Sequence, residues 1–257
     1  MSPGPEAPLV DARTEAGVRV LTLRREAKLN ALSAALEQAL AEALAHDEVR
    51  NAACVVLTGS GRAFSAGADV DELRERTPEA VLAYYAATGG VYEQLAALPQ
   101  PTLSAIGGYC LGAGLELALA TDFRIADETA VFGFPEVGLG ILPSSGGTER
   151  VTRLLGPARA KELILLRARI DAHEALACGL VSEVVPAGEA LDRALALAHR
   201  LAELPRLAAS VAKQAIDAVP ESSRAVGILI ERLAYATLAQ TEDAQAASGG
   251  FERRRRA

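Results

Sequence analysis

Three short stretches of this chain hold the residues best suited to chemistry. The first, Arg62-Ala63-Phe64-Ser65-Ala66-Gly67-Ala68-Asp69-Val70, follows a strand-like apolar run and precedes a helix-like one. Small residues there let the backbone approach a ligand closely, and N–H groups near a helix start suit an oxygen carrying negative charge. The second, Gly107-Gly108-Tyr109-Cys110-Leu111-Gly112-Ala113-Gly114-Leu115-Glu116, makes another strand-to-helix junction. Glu116 falls in the first turn of a helix otherwise built of Leu and Ala, so its side chain should point into the protein. A buried carboxylate is costly unless paired or hydrogen-bonded. The third runs from Phe132 to Pro143 and on to Gly146-Gly147-Thr148, with Glu136 as its only acid. A lone carboxyl in a glycine-rich apolar loop is a candidate active-site group. Each stretch also has a plainer reading: an ordinary turn, a rim glutamate favoured by the helix dipole, and a surface-loop acid.

Other chemistries find less support. Leu117 stands where a dinucleotide fingerprint needs its last glycine, and no phosphate-binding G-x-x-x-x-G-K-[ST] occurs. His46, His173 and His199 lie in or beside helical stretches without metal-ligand spacing, so no metal is expected.

The elements that must position these loops follow from periodicity. Val18 to Leu23 alternates like a half-buried strand, and Cys54 to Thr58 and Thr102 to Ile106 read as short buried strands. Phe123 to Ala126 and Ala130 to Phe132 add two more. Ser33 caps a helix whose Leu36, Leu40 and Leu44 recur every fourth residue. Val70 to Arg76, Glu79 to Ala97 and Ala113 to Ala120 read as helices. After Gly156, helical stretches begin at Pro157, Ala172, Gly188, Pro205 and Ser222. The order indicates an α/β core followed by helices.

Composition bounds the rest. Of 257 residues half are hydrophobic, enough for a core without disulfides or metals. The formal charge of −7 argues against a general nucleic-acid binder, whose affinity rests on neutralising phosphates. Three cysteines without a C-x-x-C pair fit a reduced, cytoplasmic compartment. The start lacks the basic end and apolar stretch of a signal peptide. No uncharged apolar run nears the roughly 20 residues of a membrane span.

Taken together and in this order, the three stretches resemble the enoyl-CoA hydratase/isomerase (crotonase) superfamily. The likeness runs from about Val18 through Val185. Lys28-Leu29-Asn30-Ala31-Leu32 and Arg169-Ile170-Asp171-Ala172-His173-Glu174-Ala175, leading to Gly179-Leu180-Val181, are supporting marks. The resemblance implies a crotonase-like ββα spiral core over residues 15–190, a flexible segment over 1–14, and a C-terminal helical trimerisation region over 191–257. It implies an oxyanion hole of the Ala66 and Ala113 N–H groups for the thioester oxygen, and Glu116 and Glu136 as an acid–base pair sharing one water. Adding water across a 2-enoyl-CoA double bond is the implied reaction, with Glu136 as proton donor to the α-carbon and Glu116 as the main water-activating group. Coenzyme A would lie along Ala66, Gly67, Ala68, Asp69 and Val70, near Lys28, with Gly112 and Ser144 at the site. It is part of the substrate, and no separate cofactor is implied. Residues 71–98 would shape the acyl pocket, and a homotrimer or dimer of trimers would be the assembly.

Within that family, retention of both glutamates favours hydration over double-bond isomerisation. A thioester hydrolase, or a hydratase of branched or aromatic-derived acyl groups, shares most of the remaining features. Ser144 stands where many hydratases have glycine, and Ala113 occupies a place often held by glycine. An RNA-binding role rests only on Arg253 to Arg256, and a catalytically silent scaffold is opposed by the intact acids.

Overall fold

The computed structural model describes residues 8–73, 77, 79–80, 82–83 and 90–247. Among the described residues ten strands form two sheets. β1 (Val10–Glu15), β2 (Val18–Leu23), β3 (Cys54–Gly59), β5 (Thr102–Ile106), β7 (Phe123–Asp127) and β10 (Glu183–Val185) make the larger, in the order β1-β2-β3-β5-β7-β10. β4 (Ala63–Ser65), β6 (Tyr109–Leu111), β8 (Val131–Gly133) and β9 (Ile170–Asp171) make the smaller, in the order β4-β6-β8-β9. The chain therefore places β3, β5 and β7 in one sheet and the strand after each, β4, β6 and β8, in the other. Pairing is parallel along β2-β3-β5-β7-β10 and along β4-β6-β8. This is the ββα spiral, with the helix Ala113–Leu119 after β6 lying inside it.

The two-residue period of the strands explains why the larger sheet is buried on both faces. Val18, Val20, Cys54, Val56, Leu103, Ala105 and Ile125 point one way and Leu21, Leu23, Val55, Leu57, Ile106 and Ala126 the other. The second set joins the central core with the helix Ala34–Ala45 and the helix Gly90–Ala96. The first set is covered by Ala190, Ala194, Leu195 and Ala198 of the helix Ala190–Ala202.

Two expected boundaries move. Residues 1–14 do not form one flexible segment, because Val10–Glu15 pairs antiparallel with β2 across a two-residue turn. Ala16 and Gly17 in that turn both have positive φ, the geometry that a tight hairpin needs. The helix Ala190–Ala202 is part of the core, not of a separate C-terminal region, since it closes one face of the larger sheet. Beyond it, the helices Arg206–Ala218 and Arg224–Leu238 bury almost nothing within one chain, Gly227 alone being buried. The helix Gly147–Leu165 breaks at Gly156 and resumes at Pro157, as the sequence indicates. The helices expected over 70–76 and 79–97 are found as Val70–Leu73 and Gly90–Ala96, and the intervening part lies largely outside the described residues. The Arg253 to Arg256 run lies outside them too. Among the described residues no helix is long and apolar enough to cross a membrane.

Candidate active site

The three chemistry-bearing stretches leave the carboxyl ends of three adjacent parallel strands, β4, β6 and β8. Crevices outside such strand ends are where open α/β sheets bind ligands. The loops are stitched together. Gly112 N–H donates to the Gly133 carbonyl at 2.9 Å, tying the second loop to the third. A Cβ on Gly67 would lie 3.7 Å from Ala113 N, so the first loop runs against the start of the helix Ala113–Leu119.

The first loop is held from below by the Lys28–Leu32 turn. Asn30, fully buried, donates to the Ser60 and Ala63 carbonyls at 2.8 and 2.7 Å and accepts from Arg25 N–H at 2.8 Å. Ser65 Oγ donates to the Asn30 carbonyl at 2.8 Å. Leu32 N–H donates to the Gly67 carbonyl, and Asp69 N–H to the Leu32 carbonyl, both at 2.8 Å.

This stitching changes one expectation. Ala66 does not have its amide to give a ligand, because that N–H donates to the Leu29 carbonyl at 2.9 Å. Gly67 N–H is engaged by Ser65 Oγ at 3.2 Å. The loop amide left without a partner among the described residues is that of Ala68. Ala113, first in its helix, keeps an N–H with no intrahelical acceptor, as every helix start does. Asp69 is likewise committed to structure: Oδ2 pairs with Arg25 at 2.6 Å and Oδ1 accepts from Asp71 N–H at 3.1 Å. The Arg25 guanidinium holds its carboxyl below the usual range. Lys28 is exposed and pairs with the exposed Asp71 at 3.1 Å. Val70 and Ser144 are exposed at the rim of the same region.

Glu116 and Glu136 are both buried, at 2% and 8% exposure. Glu116 Oε1 accepts from Ser145 N–H at 2.7 Å and from Gly147 N–H at 2.9 Å. Oε2 has no partner among the described residues, so one oxygen is anchored and the other is available. Burial raises the Glu116 pKa, the two amides and Arg150 oppose that rise, and Glu37 adds to it. Glu37, missed by the sequence reading, is a buried acid bonded by the Tyr92 hydroxyl at 2.7 Å.

Glu136 opens the short 3₁₀ turn Glu136–Leu139. Its Oε2 is buried without a hydrogen-bond partner, a state that calls for an explanation in a native site. Burial above all, with the charge of Glu116 adding to it and its own backbone N–H opposing it, pushes its pKa up to about 7. The Glu116 charge acts on Glu136, and neighbouring carboxyls resist ionising together. Glu136 also lies against the cap of the helix that carries Glu116, and Glu116 against the glycine whose amide it accepts. A Cβ on Gly112, at the cap of the helix carrying Glu116, would sit 2.8 Å from Glu136 Oε1. A Cβ on Gly147, beyond the Glu136 turn, would sit 2.6 Å from Glu116 Cγ.

Two buried acids of unequal environment, and two amides on adjoining loops without a partner among the described residues, are groups that can serve acid–base chemistry on a substrate developing negative charge on oxygen. The enoyl-CoA hydratase/isomerase family model matches residues 13–257. A probable enoyl-CoA hydratase of Mycobacterium tuberculosis is 41% identical over 240 residues, 93% of this chain and 92% of that protein. The 2,3-dehydroadipyl-CoA hydratase of Escherichia coli is 39% identical over 240 residues, 93% of each. An enoyl-CoA hydratase structure from Bacillus anthracis superposes with a TM-score of 0.90 at 37% identity, covering 96% of both chains. The chain belongs to the enoyl-CoA hydratase/isomerase family, and its fold is the crotonase fold.

Proposed function

We propose that this protein is an enoyl-CoA hydratase in which Glu116 activates the water and Glu136 supplies the proton to the α-carbon. The observation that carries the reading is a pair of buried carboxyls in unequal surroundings, one anchored by two amides and the other with its pKa raised to about 7. General acid–base work on one water needs opposite protonation states at once. The two amides on Glu116 Oε1 favour its ionised form against the burial that raises its pKa, and in this reading its Oε2 accepts the water proton. As the water oxygen bonds to the β-carbon, the electron pair of the double bond moves toward the thioester oxygen. The Ala68 and Ala113 N–H groups receive that charge, and donors fixed beforehand are most effective where charge develops. Glu136 then transfers its proton to the α-carbon, and the enolate collapses to the hydrated thioester. Glu116 ends protonated and Glu136 ionised, and exchange with solvent restores the pair.

Coenzyme A enters as part of the substrate, its chain following the Gly67–Val70 backbone and its phosphates reaching Lys28. Relatives named as hydratases support the reaction class. We assign a homotrimer or dimer of trimers, supported by the exposed Leu207, Ile216, Val226, Leu229, Leu233 and Tyr235 on the two C-terminal helices. A cytoplasmic setting is supported by three free cysteines, Cys54, Cys110 and Cys178. The test is hydration of crotonyl-CoA by the purified protein, followed as loss of enoyl-thioester absorbance. No turnover of crotonyl-CoA or of longer and branched 2-enoyl-CoAs would overturn the reading.

A further inference from the structure

Residues 141–146 form neither helix nor strand, and the chain from Ser145 to Gly147 supplies both amides that hold Glu116 Oε1. Hydrogen bonds from a loop orient a carboxylate only as well as the loop itself is fixed. What fixes it is Arg150, one turn into the helix Gly147–Leu165. Arg150 Nη1 donates to the Ser145 carbonyl at 3.0 Å, and Nη2 pairs with Glu93 Oε1 at 2.5 Å. The arginine side chain is 15% exposed although its partner Glu93 is 70% exposed, so the guanidinium lies inside the loop rather than on the surface. Gly146 passes so close that a Cβ there would overlap Arg150 Nη1. Ser145 therefore has its N–H on Glu116 and its carbonyl on Arg150.

We propose that Arg150 is a positioning residue for the hydration: anchored by Glu93, its guanidinium fixes the Ser145 carbonyl, the loop fixes Glu116 Oε1, and Glu116 Oε2 is thereby presented to the water. The proposal rests on the reading of Glu116 as the water-activating group. A planar fork that binds a carbonyl and a carboxylate together is a task for arginine, and a lysine ammonium would satisfy only one partner well. The positive charge also bears on Glu116 directly, opposing burial and Glu37. Arg150 itself need not touch substrate.

The test compares Arg150→Gln, Arg150→Lys and Glu93→Gln, each alone and in a Glu116→Gln background. Arg150→Gln is expected to lower kcat about 10- to 100-fold, the weight of one charged hydrogen bond, with KM for crotonyl-CoA changed less than about threefold. The acid limb of its kcat/KM profile should move to higher pH. In the Glu116→Gln background the same change should alter the residual rate less than about threefold. Arg150→Lys should restore the limb and part of kcat, and Glu93→Gln should lose about 3- to 10-fold. Losses fully additive with Glu116→Gln, or a folded Arg150→Gln with wild-type kcat and pH profile, would overturn the proposal. Should Arg150→Gln not fold, Arg150→Lys decides: a kcat equal to wild type overturns it. Carboxyl carbon NMR of Glu116 keeps the two claims separate, since a raised titration in Arg150→Gln is expected even where no 2-enoyl-CoA is turned over. An unmoved titration overturns the Arg150 role alone.

Discussion

Replacing Gly147 by alanine tests the site through a single methyl group. Gly147 has no left-handed backbone to protect, so alanine brings no backbone strain and would by propensity favour the helix it begins. The only cost is steric. The added Cβ would lie 2.6 Å from Glu116 Cγ, 2.8 Å from Oε1 and 3.0 Å from Cδ. Comfortable carbon contacts need about 3.5–4.0 Å, so the Glu116 side chain must retreat by roughly 1 Å. Its bonds to Ser145 and Gly147 N–H, 2.7 and 2.9 Å long, do not survive such a shift intact. Each bond to a charged group is worth about 1.5–3 kcal/mol, and a misplacement of about 1 Å at a reacting group can cost on the order of 100-fold. We expect kcat for crotonyl-CoA to fall about 100-fold, or about 2.7 kcal/mol of barrier. KM should stay within about threefold, because the groups assigned to coenzyme A lie on the other loop. Overpacking should cost about 1–3 kcal/mol of stability, read as a lowered Tm by circular dichroism. A folded Gly147→Ala protein turning over within threefold of wild type would refute the placement of Glu116 in the chemistry.

Further outcomes follow from the same geometry. Glu136→Gln should slow turnover by about 10²- to 10⁴-fold, and normal turnover would remove Glu136 from the mechanism. In the wild type, kcat/KM should decline as pH rises through about 7, where Glu136 loses the proton it must donate; an alkaline limb far above that would contradict the assignment. The sign for stability is opposite to that of a salt-bridged acid. Between the ordinary glutamate range and pH 7 the folded state keeps a proton that the unfolded state releases, so Glu136 lowers stability as pH rises through that window. Glu136→Gln should accordingly raise Tm at pH 8 and lose that advantage near pH 4.5. Asn30→Ala would strand the Ser60 and Ala63 carbonyls and the Arg25 N–H. At about 1–3 kcal/mol for each unpaired buried group, denaturant unfolding should show a loss of at least about 2 kcal/mol. Cys54, its thiol pushed up to about 12 by burial, and Cys110, raised further by the same cause, should resist alkylation in the native protein, leaving the partly exposed Cys178 to react.

What the sequence discloses here is governed by the range of the interactions. Strands of the larger sheet are legible because both faces are apolar, and Val55, Val56 and Leu57 read as a buried run with no partner in view. The short strands β4, β6 and β9, of three, three and two residues, are not legible, because nothing local distinguishes them from loop. Only their pairing with one another makes them strands. Glu116 and Glu136 stand out as acids in apolar surroundings, a contrast contained in the neighbouring residues themselves. Arg150, Glu93, Ser145 and Glu37 do not, since a charged or polar residue on a helix or loop is ordinary until its partner is known. Glu93 and Arg150 are 57 positions apart.

The amide of the first loop shows the same limit at the scale of one residue. In Ala66-Gly67-Ala68 two alanines flank a glycine, and no local property says which N–H is spare. The decision is made by Leu29 and Leu32, more than thirty residues upstream. Leu29 takes the amide of Ala66, and Leu32 exchanges bonds with Gly67 and Asp69. An extended segment pairing on one side uses alternate N–H groups and leaves the intervening ones facing away. The parallel bridge between Leu32 and Ala68 thus uses the Gly67 carbonyl and the Asp69 N–H and turns the Ala68 N–H away, while Leu29 takes the Ala66 N–H and Ser65 Oγ the Gly67 N–H. The oxyanion donor proposed here is therefore specified by the residues that bind its neighbours, and the Lys28-Leu29-Asn30-Ala31-Leu32 stretch holds that loop. Displacing that stretch, as Asn30→Ala is expected to do, should impair turnover as well as folding.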